Sequence, residues 1–203
     1  MELNEMKQIF IDSAVHVVAR DGLVKATTKA IAAGTGLNEA YIYHCFKSKE
    51  ELLRAAFHQE DVNLIRQIRK ALPVMHFKNL TWKERCFLLW RSCWNFILEK
   101  PDDLLFYLRY YYSASCRKYA YADHLRSFEA LIQEVRHVFK PETNVNLLVH
   151  QIFDTMLSFA ARVQSGEIKN DEATTNWTFE QVYSFVVPNV LTEIVEEKHV
   201  EAV

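Results

Sequence analysis

The sequence predicts an all-α protein of about nine helices, a small helical head followed by a larger helical body. Apolar residues recur three and four positions apart rather than two, so helical faces are legible along most of the chain and no strand alternation is. Only 4 Gly and 4 Pro interrupt 203 residues, and half of the residues are apolar. That composition supplies a sizeable core with few breaks.

The elements follow in order. Met6, Ile9, Phe10, Ala14, Val17 and Val18 form one apolar stripe ending at Arg20, with Gly22 where a left-handed cap is expected. Thr27 or Thr28 caps a short second helix carrying Ile31 and Ala32, and Gly34-Thr35-Gly36 ends it. Asn38 caps a third helix carrying Tyr41, Ile42 and Tyr43. Ser48-Lys49-Glu50-Glu51 is a capping box that opens a long helix running to Leu72, where Pro73 stops it. Thr81-Trp82-Lys83-Glu84 opens a helix to about Glu99. Pro101 starts another that includes Phe106 to Tyr112, and a further one runs from about Asp123 to Phe139. Two longer helices, about Asn144–Gln164 and Ala173–Glu197, close the chain, the last kinked at Pro188.

Charge and cysteine usage narrow the function classes. Net charge is −2, but residues 1–80 hold 11 Lys and Arg against 9 Asp and Glu, and the remainder 13 against 17. The asymmetry has the sign of a nucleic-acid-binding head on an acidic body. Cys45, Cys86, Cys93 and Cys116 show no CxxC pairing, so free thiols are expected, with neither a disulfide framework nor a zinc site. The first residues lack the pattern of a signal peptide, and no apolar run approaches the roughly 18 residues of a membrane span. A cytoplasmic protein without a cofactor is the expectation.

Residues 27–50 carry the most information: two short helices joined by a sharp turn, the geometry that lays a helix in a DNA major groove. Thr27 or Thr28, Ile31-Ala32, Gly36, Ile42, Tyr43, Phe46, Lys49 and Leu52 or Leu53 fall at the spacing of T-x-x-x-I-A-x-x-A-G-V-S-x-G-x-L-Y-x-H-F-x-x-K-x-x-L. Over residues 6–54 the chain thereby resembles the TetR family of transcriptional regulators. The resemblance implies a helix-turn-helix DNA-binding domain at residues 1–50 and a helical effector-binding and dimerisation domain at 51–203. Ile31, Ala32, Leu37, Ile42 and Phe46 would form the small core between the helices. Gly36 permits the turn, either because a side chain would meet the neighbouring helix or because the backbone is strained. Thr27, Thr28, Lys29, Tyr43, His44, Lys47 and Lys49 are placed toward phosphates, and the amides opening the helix after Ser48 suit an anion. Asn38, Glu39, Ala40, Tyr41 and His44 face base edges, with Glu39 able to accept from a cytosine amino group. Asn38, Ala40 and Cys45 depart from the family pattern. Cys45 is read as a small buried residue beside Phe46, with a redox switch as the sharper alternative.

Between Trp82 and Tyr121, 40 residues hold 12 of the chain's 26 aromatics. The resemblance implies that part of this cluster walls an effector cavity suited to a flat, apolar or cationic molecule. Cys86, Trp90 and Cys93 share a face, joined by Trp94; Phe106, Arg109 and Tyr110 are expected from the next helix and Phe153, Met156 and Phe159 from the penultimate one. The last two helices resemble the family's dimerisation element. Their stripes are Leu148, Ile152, Thr155, Phe159 and Val163, then Phe179, Val182, Tyr183, Val186, Val190, Leu191 and Ile194. A homodimer would favour double-stranded DNA carrying a palindromic operator.

An enzyme is the rival class. No GxGxxG, P-loop, GxSxG or HExxH occurs, and the eight histidines lack ligand spacing. The reading is therefore a DNA-binding repressor released by a small apolar or aromatic effector. The alternative is a DNA-binding regulator without such an effector, controlled by a protein partner or by thiol oxidation.

Overall fold

The computed structural model describes residues 2–196. Among the described residues eleven α-helices follow one another: α1 (Leu3–Asp21), α2 (Thr28–Ala33), α3 (Ala40–Cys45), α4 (Lys49–Ala71), α5 (Trp82–Glu99), α6 (Pro101–Tyr111), α7 (Ala114–Tyr119), α8 (Tyr121–Val135), α9 (Val145–Gln164), α10 (Glu172–Val186) and α11 (Thr192–Val195). Short 3-10 turns follow α4, α8 and α10, at Leu72–His76, Arg136–Val138 and Val187–Asn189. No strand occurs among the described residues; Phe139 and Val190 form one isolated antiparallel bridge.

Side-chain caps set most boundaries. Glu2 and Glu5 box the start of α1, and Gly22 closes it at φ +83°. Thr81 Oγ1 accepts from the Glu84 amide at 3.2 Å while the Glu84 carboxylate accepts from the Thr81 amide at 2.8 Å, a reciprocal box opening α5. Asn144 and Asp171 accept from the amides of Leu147 and Thr174 to start α9 and α10.

Two differences raise the helix count above the expected nine. Ser113 caps the six-residue α7, accepting from the Cys116 amide at 3.1 Å. This element is too short to show a period, so it was hidden in the aromatic run. Pro188 ends the last long helix rather than kinking it. It sits in the turn after α10, and Val190 then runs extended to pair with Phe139, with Leu191 N–H donating to the Val138 carbonyl at 3.0 Å. The freed backbone groups find partners outside the helix, which makes a break cheaper than a bend. The expected end of that helix, Glu197, lies outside the described residues.

The chain divides into two compact units. The first comprises residues up to 63 with 100–126, the second residues 64–99 with those from 127 on. The physical reason is α6, which packs on α1. Arg109 Nη1 donates to the carbonyls of Val18 and Ala19 at 2.5 and 2.7 Å, satisfying the last turn of α1, and His16 pairs with Asp102 at 2.6 Å. Phe10, Ala14, Val18, Phe57, Phe106 and Tyr110 fill this unit's core, each at most 1% exposed. Each large side chain so buried contributes roughly 1.5–3 kcal/mol of transfer free energy.

Buried polar groups tie α4 into the first unit. Tyr107 donates to Asp61 Oδ1 at 2.6 Å, and His124 Nδ1 stands 3.0 Å from both Asp61 oxygens. Burial and the Asp61 charge hold the Tyr107 phenol well above its ordinary pKa, so it stays a donor. Tyr110 and Ser115 hydroxyls donate to the two oxygens of Glu50 at 2.8 and 3.0 Å, and Arg54 pairs with Asp123 at 2.7 Å.

In the second unit, Trp90 and Trp94 stack at 5.8 Å, Phe128 packs on Phe153 at 5.2 Å, and Phe87 meets Phe179 edge-on at 5.2 Å. Gln67 Nε2 donates to Ser92 Oγ at 3.0 Å, joining the later turns of α4 to α5.

Candidate nucleic-acid interface and ligand cavity

The interface is built from local signals in the first unit. Thr27 Oγ1 accepts from the Ala30 amide at 3.1 Å and starts α2; Ser13 Oγ donates to the Ile31 carbonyl at 2.6 Å and ties α2 to α1. Gly36 turns the chain at φ +72°, and nothing lies within 4 Å of a Cβ built on it. Backbone strain, not lack of space, therefore requires the glycine. Thr35 completes the turn, donating to the Ala32 carbonyl at 2.8 Å and accepting from the Leu37 amide at 3.1 Å. Asn38 Oδ1 then accepts from the Ala40 amide at 2.8 Å and launches α3.

With Ile42, Cys45 and Phe46 buried, α3 turns Ala40, Tyr41, Tyr43 and His44 outward. Tyr41 is 45% and Tyr43 56% exposed, large for aromatics in a packed head, and Lys29, Asn38 and Lys47 are exposed as well. Thr28 and Glu39 are half-buried because they meet each other. The Thr28 hydroxyl donates to Glu39 Oε1 and lies 3.5 Å from the Tyr43 hydroxyl. One oxygen of the expected cytosine acceptor is thus held inside the head.

The start of α4 differs from the anion site expected there. Ser48 Oγ accepts from the Glu51 amide, and Glu51 Oε2 accepts from the Lys47 amide, each at 3.1 Å. The Ser48 half of the capping box forms, while the Glu51 carboxylate reaches one residue further back and stands where a phosphate was expected, leaving Lys47 and the half-buried Lys49 as the cationic groups of this corner. Cys45 is 8% exposed, and burial raises its thiol pKa despite the nearby Lys7 ammonium. The thiol form is favoured there, which slows oxidation.

The second unit contains a cavity of about 710 Å³, in the range of small-molecule sites. Five of the expected ligand contacts line it: Cys86, Trp90, Cys93, Phe153 and Met156. Burial pushes the Cys86 and Cys93 thiols up to about 12, so both stay neutral.

Five expected contacts stand elsewhere. Trp94 is 1% exposed and lies behind Trp90 as packing. Phe159 meets Trp177 edge-on at 5.3 Å. Phe106, Arg109 and Tyr110 belong to the first unit, where they fill its core, cap α1 and hold Glu50. Helical spacing shows that residues share a face but not which neighbour that face meets.

The cavity also gains residues that were not singled out, chiefly Trp82, Arg85 and Phe128. Trp82, Arg85, Leu89 and Cys93 repeat at three- and four-residue steps along α5, so extending the Cys86–Trp90–Cys93 face by one turn would have found the first two.

The stripes assigned to an interface mostly turn inward. Phe179, Val182, Val190 and Leu148 are buried, and Ile152, Val186 and Ile194 line the cavity. What α9 and α10 leave outside is led by Leu147, 67% exposed, and Trp177, 53% exposed.

Comparison with known proteins agrees with this geometry. Residues 10–56 match the family described as bacterial regulatory proteins, tetR family. The HTH-type nicotine-responsive transcriptional repressor HdnoR of Paenarthrobacter nicotinovorans is 32% identical over 69 residues, which is 34% of each chain. The match therefore spans about a third of that relative's length. TetR family regulators of Marinobacter aquaeolei VT8 and Shewanella sp. PV-4 superpose with TM-scores of 0.72 and 0.74 at 20% and 17% identity; each covers 89% of this chain, and 95% and 97% of theirs is covered. FadR of Bacillus subtilis, solved in complex with stearoyl-CoA, gives 0.66 at 21% identity over 87% of this chain and 97% of that one. The structural likenesses establish the all-α fold of these regulators, and over residues 10–56 the head matches the tetR-family model.

Proposed function

We propose that this TetR-family regulator is a repressor that leaves a palindromic operator when a small apolar molecule enters the cavity of the second unit. The observation that carries the reading is the outward row of Tyr41, Tyr43, His44 and Lys47 behind the Gly36 turn. Large aromatics and a lysine held in water by a rigid two-helix support suit phosphate positioning and groove contact.

Within this reading Tyr43, Lys29, Lys47 and Lys49 position the head on the backbone, while Asn38, Ala40, Tyr41 and His44 meet base edges. Two copies joined through the outward faces of α9 and α10, centred on Leu147 and Trp177, would set the two α3 helices on successive major grooves. Helix α4 contributes Leu52 and Leu53 to the first unit's core and Leu64 and Ile68 to the cavity wall. A ligand that shifts this helix shifts the equilibrium between binding and non-binding heads, and a coupling of about 1–3 kcal/mol is a useful response. Control by Cys45 oxidation has less support, since burial keeps its thiol protonated.

The test is fluorescence anisotropy with an operator selected from a random duplex library. Tyr43→Ala and Lys47→Ala should each weaken binding to all duplexes, and Lys47→Ala should reduce the slope of log affinity against log salt by about 1. Undiminished binding by folded Tyr43→Ala would remove α3 as the docking helix.

A further inference from the structure

We propose that the short helix α7 is a second DNA contact, set beside the docking corner of the first unit, and that Arg117, Lys118 and Tyr119 bind backbone phosphates there. The inference rests on the reading of Lys47 and Lys49 as phosphate contacts, because α7 joins that corner through one carboxylate. Glu50, which follows Lys49 in the first turn of α4, accepts from the Ser115 hydroxyl of α7 at 3.0 Å and from the Tyr110 hydroxyl of α6 at 2.8 Å. The anchor of α7 thus lies one residue from a docking lysine.

The rest of α7 is fixed with its cations outward. Ser113 caps the helix, and Cys116, fully buried, holds its inner face. Arg117, Lys118 and Tyr119 are left in solvent, Tyr119 at 43% exposure. The Arg117 guanidinium lies 5.4 Å from the Tyr121 ring centroid and Lys118 Nζ 4.8 Å from that of Tyr119, contacts that orient both cations and leave N–H donors to give. A hydrogen bond to Tyr119 and, more weakly, the Glu50 charge raise the Lys118 pKa above its ordinary value, so it stays charged. Among the described residues neither cation forms an ion pair with a carboxylate.

The nearby carboxylates are engaged elsewhere: Asp123 by Arg54 and Arg126, Glu50 by two hydroxyls, and Glu51 by the Lys47 amide. Adjacent like charges repel, and α7 carries no acidic residue to offset them. A row of phosphates does so, with the Arg117 fork and the Tyr119 hydroxyl adding directed bonds. This extends the sequence expectation, which confined the DNA contacts to residues 27–49.

The experiment measures fluorescence anisotropy of the full chain on the selected operator and on unrelated duplexes across a salt series. Arg117→Gln/Lys118→Gln should weaken binding to every duplex by about tenfold and lower the slope of log affinity against log salt by about 1–2. Lys169→Gln, at an exposed lysine of the second unit, should leave affinity within about twofold and the slope unchanged. A loss from Lys169→Gln comparable to that of the double variant reduces the effect to net charge and overturns the contact. An unchanged slope in the double variant while Lys47→Ala still weakens binding overturns α7 and leaves the docking corner standing; no effect from either overturns both. On the unaltered chain, bound operator should protect Lys118 from acetylation by about threefold or more, read by mass spectrometry, and undiminished acetylation overturns the contact without recourse to a variant.

Discussion

The two units use aromatic residues in opposite ways. In the first, Phe57, Phe106, Tyr107 and Tyr110 pack in contact, with ring centroids 4.9 Å apart for Phe57–Tyr107 and 5.1 Å for Phe57–Tyr110, and the tyrosine hydroxyls are spent on Asp61 and Glu50. In the second, Trp82, Trp90, Phe128 and Phe153 stand around about 710 Å³ of space, and two indole N–H groups have no acceptor. Both arrangements draw on one aromatic-rich stretch of sequence. The difference is that the tyrosine hydroxyls of the first unit are satisfied within the protein, while the Trp82 and Trp90 indole N–H groups beside the cavity of the second are not.

The strongest way to break this comparison is to unpin the first unit. Asp61→Ala removes the buried carboxylate that the Tyr107 hydroxyl and His124 share and should destabilise the protein by about 3 kcal/mol or more, read from urea unfolding. A loss under about 1 kcal/mol would mean that packing alone holds α4 to α6 and α8.

A smaller effect sharpens the same contrast through pH. Glu60, 8% exposed, has its carboxyl pushed up to about 7 by burial and by the Asp103 charge. The folded protein therefore binds a proton between its ordinary value of 4.5 and about 7 that the unfolded chain releases, so this group's contribution to stability is present below 4.5 and is lost as pH rises through 7. Glu60→Gln should raise stability at pH 8 by on the order of 1–3 kcal/mol and leave it nearly unchanged at pH 4. Parallel stability curves for the two proteins across that range would contradict the buried position.

The smallest effect belongs to the hollow unit. Cys93→Leu adds volume where the second unit has room, so it should change stability by less than about 1 kcal/mol, against the 1–3 kcal/mol that overpacking costs in a filled core. A loss above about 2 kcal/mol would show that the wall is already close-packed.

The division between what was legible and what was not follows range. Caps at Thr27, Asn38, Ser48, Thr81 and Asn144, the positive φ at Gly36 and the helical periods are encoded within a few residues, and each is found where its residues place it. Assignments that needed a partner fared differently. Arg109 and Tyr110 carry a cavity's chemistry, yet they close α1 and hold Glu50. Phe159 finds Trp177, and the stripe from Phe179 to Ile194 largely faces its own unit. Glu39 could read a base, but Thr28 reaches it first.

By itself the sequence determined an all-α chain, the turn at Gly36 and the residue types that α3 turns to solvent. Those depend on backbone sterics and on caps whose donors and acceptors lie three or four positions apart. Only the tertiary structure decided which aromatics fill a core and which surround a space. A side chain's period fixes the face it stands on; the neighbour that face meets is chosen by contacts dozens of residues away, and there the hydrogen-bond ledger is settled.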